Sequence, residues 1–248
     1  MAERGGQFDD RPVRRVRVYA DAPYDPGRWP ATIPAVRQLL REGLELPAGV
    51  TMLVGENGVG KSTIVEAVAT AYGLPPEGGS NQGRHVTRPS ESPLGEWLYI
   101  ERAPWAAKWG FFLRAETMHG YYSYAETVAA PTDPRLHEMS HGESFNTLLA
   151  NKLNHPQFVA GLVCLDEPEA ALSFQSTLTW LANLNVMAER GTQVLCATHS
   201  PILAALPGAH ILELGEWGIR ESSWEDLEIV AQWRSFLDAP GRYFRHLL

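Results

Sequence analysis

Gly55-Glu56-Asn57-Gly58-Val59-Gly60-Lys61-Ser62 has the spacing G-x-x-x-x-G-K-[ST], and the chemistry it suits is the binding of a triphosphate. Such a ligand needs several donors converging on closely spaced oxygens. Gly55, Gly58 and Gly60 let successive backbone N–H groups point inward without Cβ atoms in the way. A helix starting near Lys61 adds unpaired N–H groups and the positive end of its dipole, the Lys61 ammonium reaches the β and γ phosphates, and the Ser62 hydroxyl is a candidate ligand for Mg²⁺. Glu56, Asn57, Val59 and Thr63 belong to the same candidate nucleotide-binding set.

A second group of chemistry-bearing residues lies far downstream. Gly161-Leu162-Val163-Cys164-Leu165-Asp166-Glu167 is an apolar run ending in two acids. Side-chain alternation along a strand sends these acids in different directions, so Asp166 is the candidate for the Mg²⁺ shell and Glu167 the candidate to polarise an attacking water. Either acid alone could instead cap the next helix. His199 ends a further apolar run, Thr192 to Thr198, at a place from which it could donate to a γ-phosphate oxygen. Ser140 and Glu143 in Met139-Ser140-His141-Gly142-Glu143 have the spacing of a capping box, and the helix start they mark could also receive an anion.

These residues need particular elements to hold them. Val50-Thr51-Met52-Leu53-Val54 reads as a buried parallel strand, and Ile64, Val65, Ala67, Val68, Ala71 and Tyr72 recur at helical spacing, so the glycines fall at a strand-to-helix turn. Asp166, Glu167 and His199 end strands, where open parallel sheets bind ligands, and Pro168 stops the pairing after Glu167. Pro201 is expected to open a helix through Leu206. Pro75 to Pro93 reads as a long surface loop. The Arg/Val alternation of Arg11 to Arg17 reads as an edge strand with one solvated face, or else a basic patch. Trp224 to Leu237 and Pro240 to Leu248 read as helices that cover the sheet or a partner subunit.

With 248 residues, 44% hydrophobic and 20% charged, residues 1–248 are expected to form one large α/β domain, with an insert at about 75–140. A formal net charge of −8 argues against nucleic acid binding driven by the overall field, although a local patch remains open. Residues 1–10 lack a signal-peptide core and no window approaches a membrane span of about 18 apolar residues, so a cytoplasmic location is expected. Cys164 and Cys196 read as small buried side chains.

Taken in order, Gly55 to Ser62, Ser140 to Glu143, Asp166-Glu167-Pro168 and His199 resemble the Walker A, signature, Walker B and switch-histidine motifs of ABC-type ATPases. The strings GENGVGKST, GFFLRAE, SHGES, LDEPEAALS and ATHSPIL more narrowly resemble small soluble bacterial AAA-family or ABC-type ATPases. The resemblance implies an α/β P-loop NTPase fold with a mostly parallel sheet flanked by helices and a short helical and β insert, and it implies ATP with Mg²⁺. It further implies a head-to-tail homodimer in which Ser140 and Gly142 of one subunit close over the phosphate held by Lys61 of the other.

Three departures stand out. Ser173 occupies a position where Asp is usual, and His141 replaces a glycine of the signature. No glutamine follows the strand Gly110 to Leu113, and Glu116 or, more weakly, Gln82 is the candidate sensor of Mg²⁺ and water; a structural ion pair between Arg114 and Glu116 is the alternative.

The stretch between Ser62 and Ser140 has no heptad pattern, which excludes long coiled-coil arms. It carries many aromatic residues, most of them expected in strands and core, with Tyr121-Tyr122-Ser123-Tyr124 as a candidate partner surface. The expected function is Mg-dependent ATP hydrolysis by a nucleotide-driven dimer that signals to an unidentified protein partner. A nucleotide-gated binding module, an energising subunit of a membrane transporter and a DNA-repair or defence ATPase with a nuclease partner are the alternatives.

Overall fold

The computed structural model describes residues 11–80, 92–114 and 161–245. Its centre is a seven-stranded sheet. Val50–Val54 (β3), Gly110–Arg114 (β6), Leu162–Asp166 (β7), Gln193–Thr198 (β8) and His210–Gly215 (β9) form it together with the flanking strands Gly79–Ser80 (β4) and Gly218–Ser222 (β10). The order is β10-β9-β3-β8-β7-β6-β4, with β9 through β6 mutually parallel and the two outer strands antiparallel to their neighbours.

The apolar runs of β3, β7 and β8 are continuous because both faces of these strands are buried. Successive residues divide between two cores. Leu53, Cys164, Leu195 and Ala197 face one side, packed with helices Pro34–Glu42 (α1) and Lys61–Tyr72 (α2). Met52, Val54, Val163, Leu165, Val194 and Cys196 face the other, against helix Phe174–Glu189 (α4) through Trp180, Leu184 and Met187. Both cysteines are free and buried, as expected. This mixed, mostly parallel sheet with helices on both faces, and a glycine-rich turn between β3 and α2, is an α/β P-loop NTPase architecture.

A second sheet of three strands, Arg15–Val18 (β1), Leu44–Glu45 (β2) and Leu98–Glu101 (β5), has the order β2-β1-β5. β1 is the central strand, paired on both sides, and not an edge. Its arginines are consumed by neighbours: Arg15 pairs with Glu45 at 3.4 Å and Arg17 with Glu101 at 2.6 Å. The alternation of charge reports one solvated face, which a central strand of a small sheet also has.

Other boundaries shift. Part of the expected Pro75 to Pro93 loop is strand, since β4 pairs with β6, and Leu94–Trp97 follows as a short helix (α3). The helix expected after Pro201 is only a 3₁₀ turn at Leu203–Ala205. The tail forms Glu228–Asp238 (α5) and Pro240–Phe244 (α6), but α5 buries only Val230 and leaves Trp233 and Leu237 exposed. Among the insert aromatics Phe111 and Phe112 are core residues while Trp105 is exposed. Tyr121 to Tyr124 lie outside the described residues.

Gln193, the first residue of β8, joins the two sheets. Its Oε1 accepts from the Val13 backbone N–H at 2.8 Å, and its Nε2 lies 2.8 Å from the Val13 carbonyl oxygen, 3.0 Å from that of Leu46 and 2.9 Å from that of Pro47. The side chain is buried with Val13 and Leu46, so the backbone groups of those two residues have no water to replace it. Gln193→Ala should therefore lower unfolding free energy by about 3 kcal/mol in chemical denaturation, the cost of stranding buried polar groups. A change within about 0.5 kcal/mol, the range of an ordinary surface substitution, would remove Gln193 from this role.

Candidate functional site

The turn from Gly55 to Gly60 leaves β3 and enters α2 at Lys61. Two glycines are required by contacts as well as by conformation. A Cβ on Gly55 would collide with the Leu214 carbonyl oxygen. Gly60 caps α2 at φ 100°, and a Cβ there would approach Ile33 Cγ2 at 2.9 Å. Glu56, Asn57 and Gly58 are exposed, Val59, Ser62 and Thr63 half-buried, and Lys61 buried. Ile64 N–H donates to the Gly60 carbonyl, the first bond of α2, so the N–H groups of the preceding turn face the loop without intrahelical partners.

Lys61 is only 3% exposed and folds back on its own loop. Its Nζ donates to the carbonyls of Gly55 and Glu56, each at 2.8 Å, and lies 3.9 Å from Glu167 Oε1. Burial pushes the ammonium pKa down, and the neighbouring carboxylates of Glu167, Glu169, Asp166 and Glu56 oppose that shift. The ammonium is thus held by weakly basic carbonyls that a triphosphate can displace.

Asp166 ends β7 with its side chain 5% exposed, and its Oδ2 lies 3.5 Å from Arg114 Nε. Arg114 ends β6 directly beside it in register and also donates to Glu66 Oε2 of α2 at 2.9 Å. Arg114 therefore pairs with Glu66 and Asp166. Glu116 and Gln82, the two candidate sensors, lie outside the described residues, as do Ser140, His141 and Gly142. The donor set of Ser62 and Asp166, one hydroxyl and one carboxylate, fits a magnesium ion that takes its remaining ligands from phosphate and water. Among the described residues there is no cluster of three or more His, Cys, Asp or Glu that would chelate a metal alone.

Glu167 is the non-glycine residue found at positive φ among the described residues, at φ 48° and ψ 52°. It precedes the 3₁₀ turn Pro168–Ala171 without donating or accepting a capping side-chain bond, which removes the helix-cap alternative for it. Its backbone N–H is held by the Ala197 carbonyl of β8 at 3.0 Å. The left-handed turn swings the carboxylate out of the strand direction toward Lys61 and His199, whose Nδ1 lies 3.5 Å away. Such a conformation costs an L-residue about 1 kcal/mol.

The sequence reading missed Glu169. Its side chain is 8% exposed; its Oε1 accepts from the Thr198 hydroxyl and, at 2.9 Å, from the His199 backbone N–H, and lies 3.6 Å from His199 Nδ1. The available signal was a third acid two residues after Glu167, in a string where only the first two had a role. A second unforeseen contact joins Gln232 of α5 to Glu56 of the glycine-rich loop, with Nε2 to Oε1 at 3.1 Å. No local pattern announces a pair separated by 176 positions. Lys61, Asp166, Glu167 and His199 are thus brought to one edge, where β3, β7 and β8 end.

A family model described as an AAA domain matches residues 32–94, which include β3, the glycine-rich turn and α2. The ribose import ATP-binding protein RbsA of Roseobacter denitrificans is 28% identical over 191 residues, covering 68% of this chain and 37% of that protein. The ATP-dependent permease PDR12 of Saccharomyces cerevisiae is 25% identical over 203 residues, covering 68% of this chain and 13% of that protein. The chain spans well under half the length of these curated relatives. A bacterial Atm1-family ABC exporter with ATP bound has a TM-score of 0.45 and 16% identity over 78% of this chain and 38% of that chain. By the matched family model and the two curated relatives, the chain is similar to ABC-type P-loop ATPases. Among the described residues no helix is long and apolar enough to cross a membrane.

The strain at position 167 is directly measurable. Glu167→Gly should be about 1 kcal/mol more stable than Glu167→Ala in equilibrium unfolding, because both lose the carboxylate and only glycine relieves the left-handed backbone. Equal stabilities would mean that the turn carries no such strain.

Proposed function

We propose that this chain, as one ATPase domain, binds ATP with Mg²⁺ and hydrolyses it. The observation supporting this reading is the convergence of Lys61, Glu167 and His199 at the edge of β3, β7 and β8, with Lys61 Nζ 3.9 Å and His199 Nδ1 3.5 Å from the Glu167 carboxylate. The loop from Gly55 to Ser62 and Thr63 wraps the phosphates with backbone N–H groups, and Lys61 exchanges its bonds to Gly55 and Glu56 carbonyls for phosphate oxygens. Ser62 and Asp166 would hold Mg²⁺, which when bound neutralises charge on the phosphates. Once Lys61 turns to the phosphates, Glu167 is free to orient and polarise the attacking water, and His199 faces the transferred group.

The ABC-type likeness adds the reading that the site is completed by Ser140 and Gly142 of a second copy, and that nucleotide closes a head-to-tail dimer whose state an unidentified protein partner senses. The similarity to an import ATP-binding protein favours one further reading, in which that partner is a membrane transporter. The pairing of Arg15 and Arg17 with Glu45 and Glu101 makes β1 a poor nucleic acid surface.

Glu167→Gln should retain ATP binding, lower turnover at least about 100-fold and raise the dimer fraction in ATP. Wild-type specific activity should climb with protein concentration if the site is composite. Unchanged turnover in Glu167→Gln would remove Glu167 as the group acting on water, and a concentration-independent rate would remove the shared site.

A further inference from the structure

We infer that Glu169 is a positioning residue that fixes the ring of His199, making Nδ1 the donor nitrogen and turning Nε2 toward the substrate; this rests on the hydrolytic reading above. His199 Nδ1 stands between two carboxylate oxygens at nearly equal distance, 3.5 Å to Glu167 Oε1 and 3.6 Å to Glu169 Oε1. Distance does not choose between them, but solvation does. The Glu167 side chain is 31% exposed and faces the Lys61 ammonium, so water and a cation already serve it. The Glu169 side chain is 8% exposed, and its Oε2 is buried without a hydrogen-bond partner. His199 Nδ1 is likewise buried and without a hydrogen-bond partner, although the ring as a whole is 44% exposed.

An ionised carboxylate offers about four acceptor sites, and Glu169 uses two of them on the Thr198 hydroxyl and the His199 backbone N–H. A small rotation of the imidazole gives Glu169 Oε1 the Nδ1 proton and satisfies the orphaned Nδ1. A carboxylate kept from water gains more from an added donor than one served by water and an ammonium, so Glu169 gains more than Glu167 from this bond. With Nδ1–H committed to Glu169, Nε2 accepts from water when the ring is neutral and donates to a phosphate oxygen when it is charged. Glu167 is left unencumbered for the attacking water. The same carboxylate accepts from the Thr198 hydroxyl and the His199 backbone N–H, so the ring and the end of β8 that carries it are fixed together.

The test compares Glu169→Ala and Glu169→Gln, each with and without His199→Ala, with Glu167→Gln as the control for hydrolysis. Glu169→Ala should lower kcat about 10- to 100-fold with little change in KM for ATP, as loss of an orienting partner does. Glu169→Gln, which keeps one acceptor oxygen and the shape, should recover most of that loss. In the His199→Ala background neither change should lower kcat further. Independently of turnover, ¹⁵N NMR of ring-labelled protein, at a pH where the imidazole is neutral, should show His199 as the Nδ1–H tautomer in wild type and shifted toward Nε2–H in Glu169→Ala. An unchanged tautomer, or losses that multiply fully with His199→Ala, would overturn the inference. A wild type without turnover but with the tautomer shift would defeat the hydrolytic reading and leave the role of Glu169 standing.

Discussion

A buried ammonium must be surrounded by acceptors, and the edge of the sheet is organised around that demand at Lys61. Desolvation weakens the charged form, while the Gly55 and Glu56 carbonyls and nearby carboxylates support it. The loop that carries these carbonyls can lie against β9 because Gly55 has no Cβ to meet the Leu214 carbonyl. The carboxylates can approach because β7 and β8 are parallel to β3 and end at the same level. The strand order therefore serves electrostatics as much as packing. Carboxylates crowded near one another need a cation, and a cation kept from water needs them.

The same edge shows a division of labour among acids that are close in sequence. Asp166 continues the strand and meets Arg114, Glu167 leaves it by a left-handed turn, and Glu169 folds back onto β8. Three backbone conformations within four residues aim three carboxylates at different partners. The proline between Glu167 and Glu169 helps by removing a donor that would have extended the pairing. Arg114 brings a second fixed cation to the cluster and links it to Glu66 in the helix that begins with Lys61. The glycine-rich loop and the acid-bearing strand are thereby joined through side chains as well as through the sheet.

Much of this edge was legible in the sequence because its signals are local. The spacing of Gly55 to Ser62, the apolar run of β3 and the periodicity of α2 are each contained in a dozen residues or so, and the strand and helix boundaries match the structure. Asp166, Glu167 and His199 were recognisable as strand-end residues because each closes an apolar run contained in a few neighbouring positions. What escaped notice was non-local or depended on pairing. β1 looks the same at a sheet's edge or its centre until both neighbours are known. The length of the segment after Pro201 depended on how its residues pack, which periodicity does not report. Glu169 has an ordinary place in the string Glu167-Pro168-Glu169, and only the fold brings it to Thr198 and His199.

Gln193 begins β8 and Thr198 ends it, and each terminus is secured by a buried side chain. A six-residue strand spans about 20 Å. β8 is consequently a strut pinned at two ends and paired along both sides, with no slack for sliding past β3 or β7. Any displacement of His199 larger than a ring rotation must carry the strand, and with it the three-stranded sheet bound to Gln193. The three-stranded sheet, bound at the opposite end of β8, is in this sense ballast for the histidine.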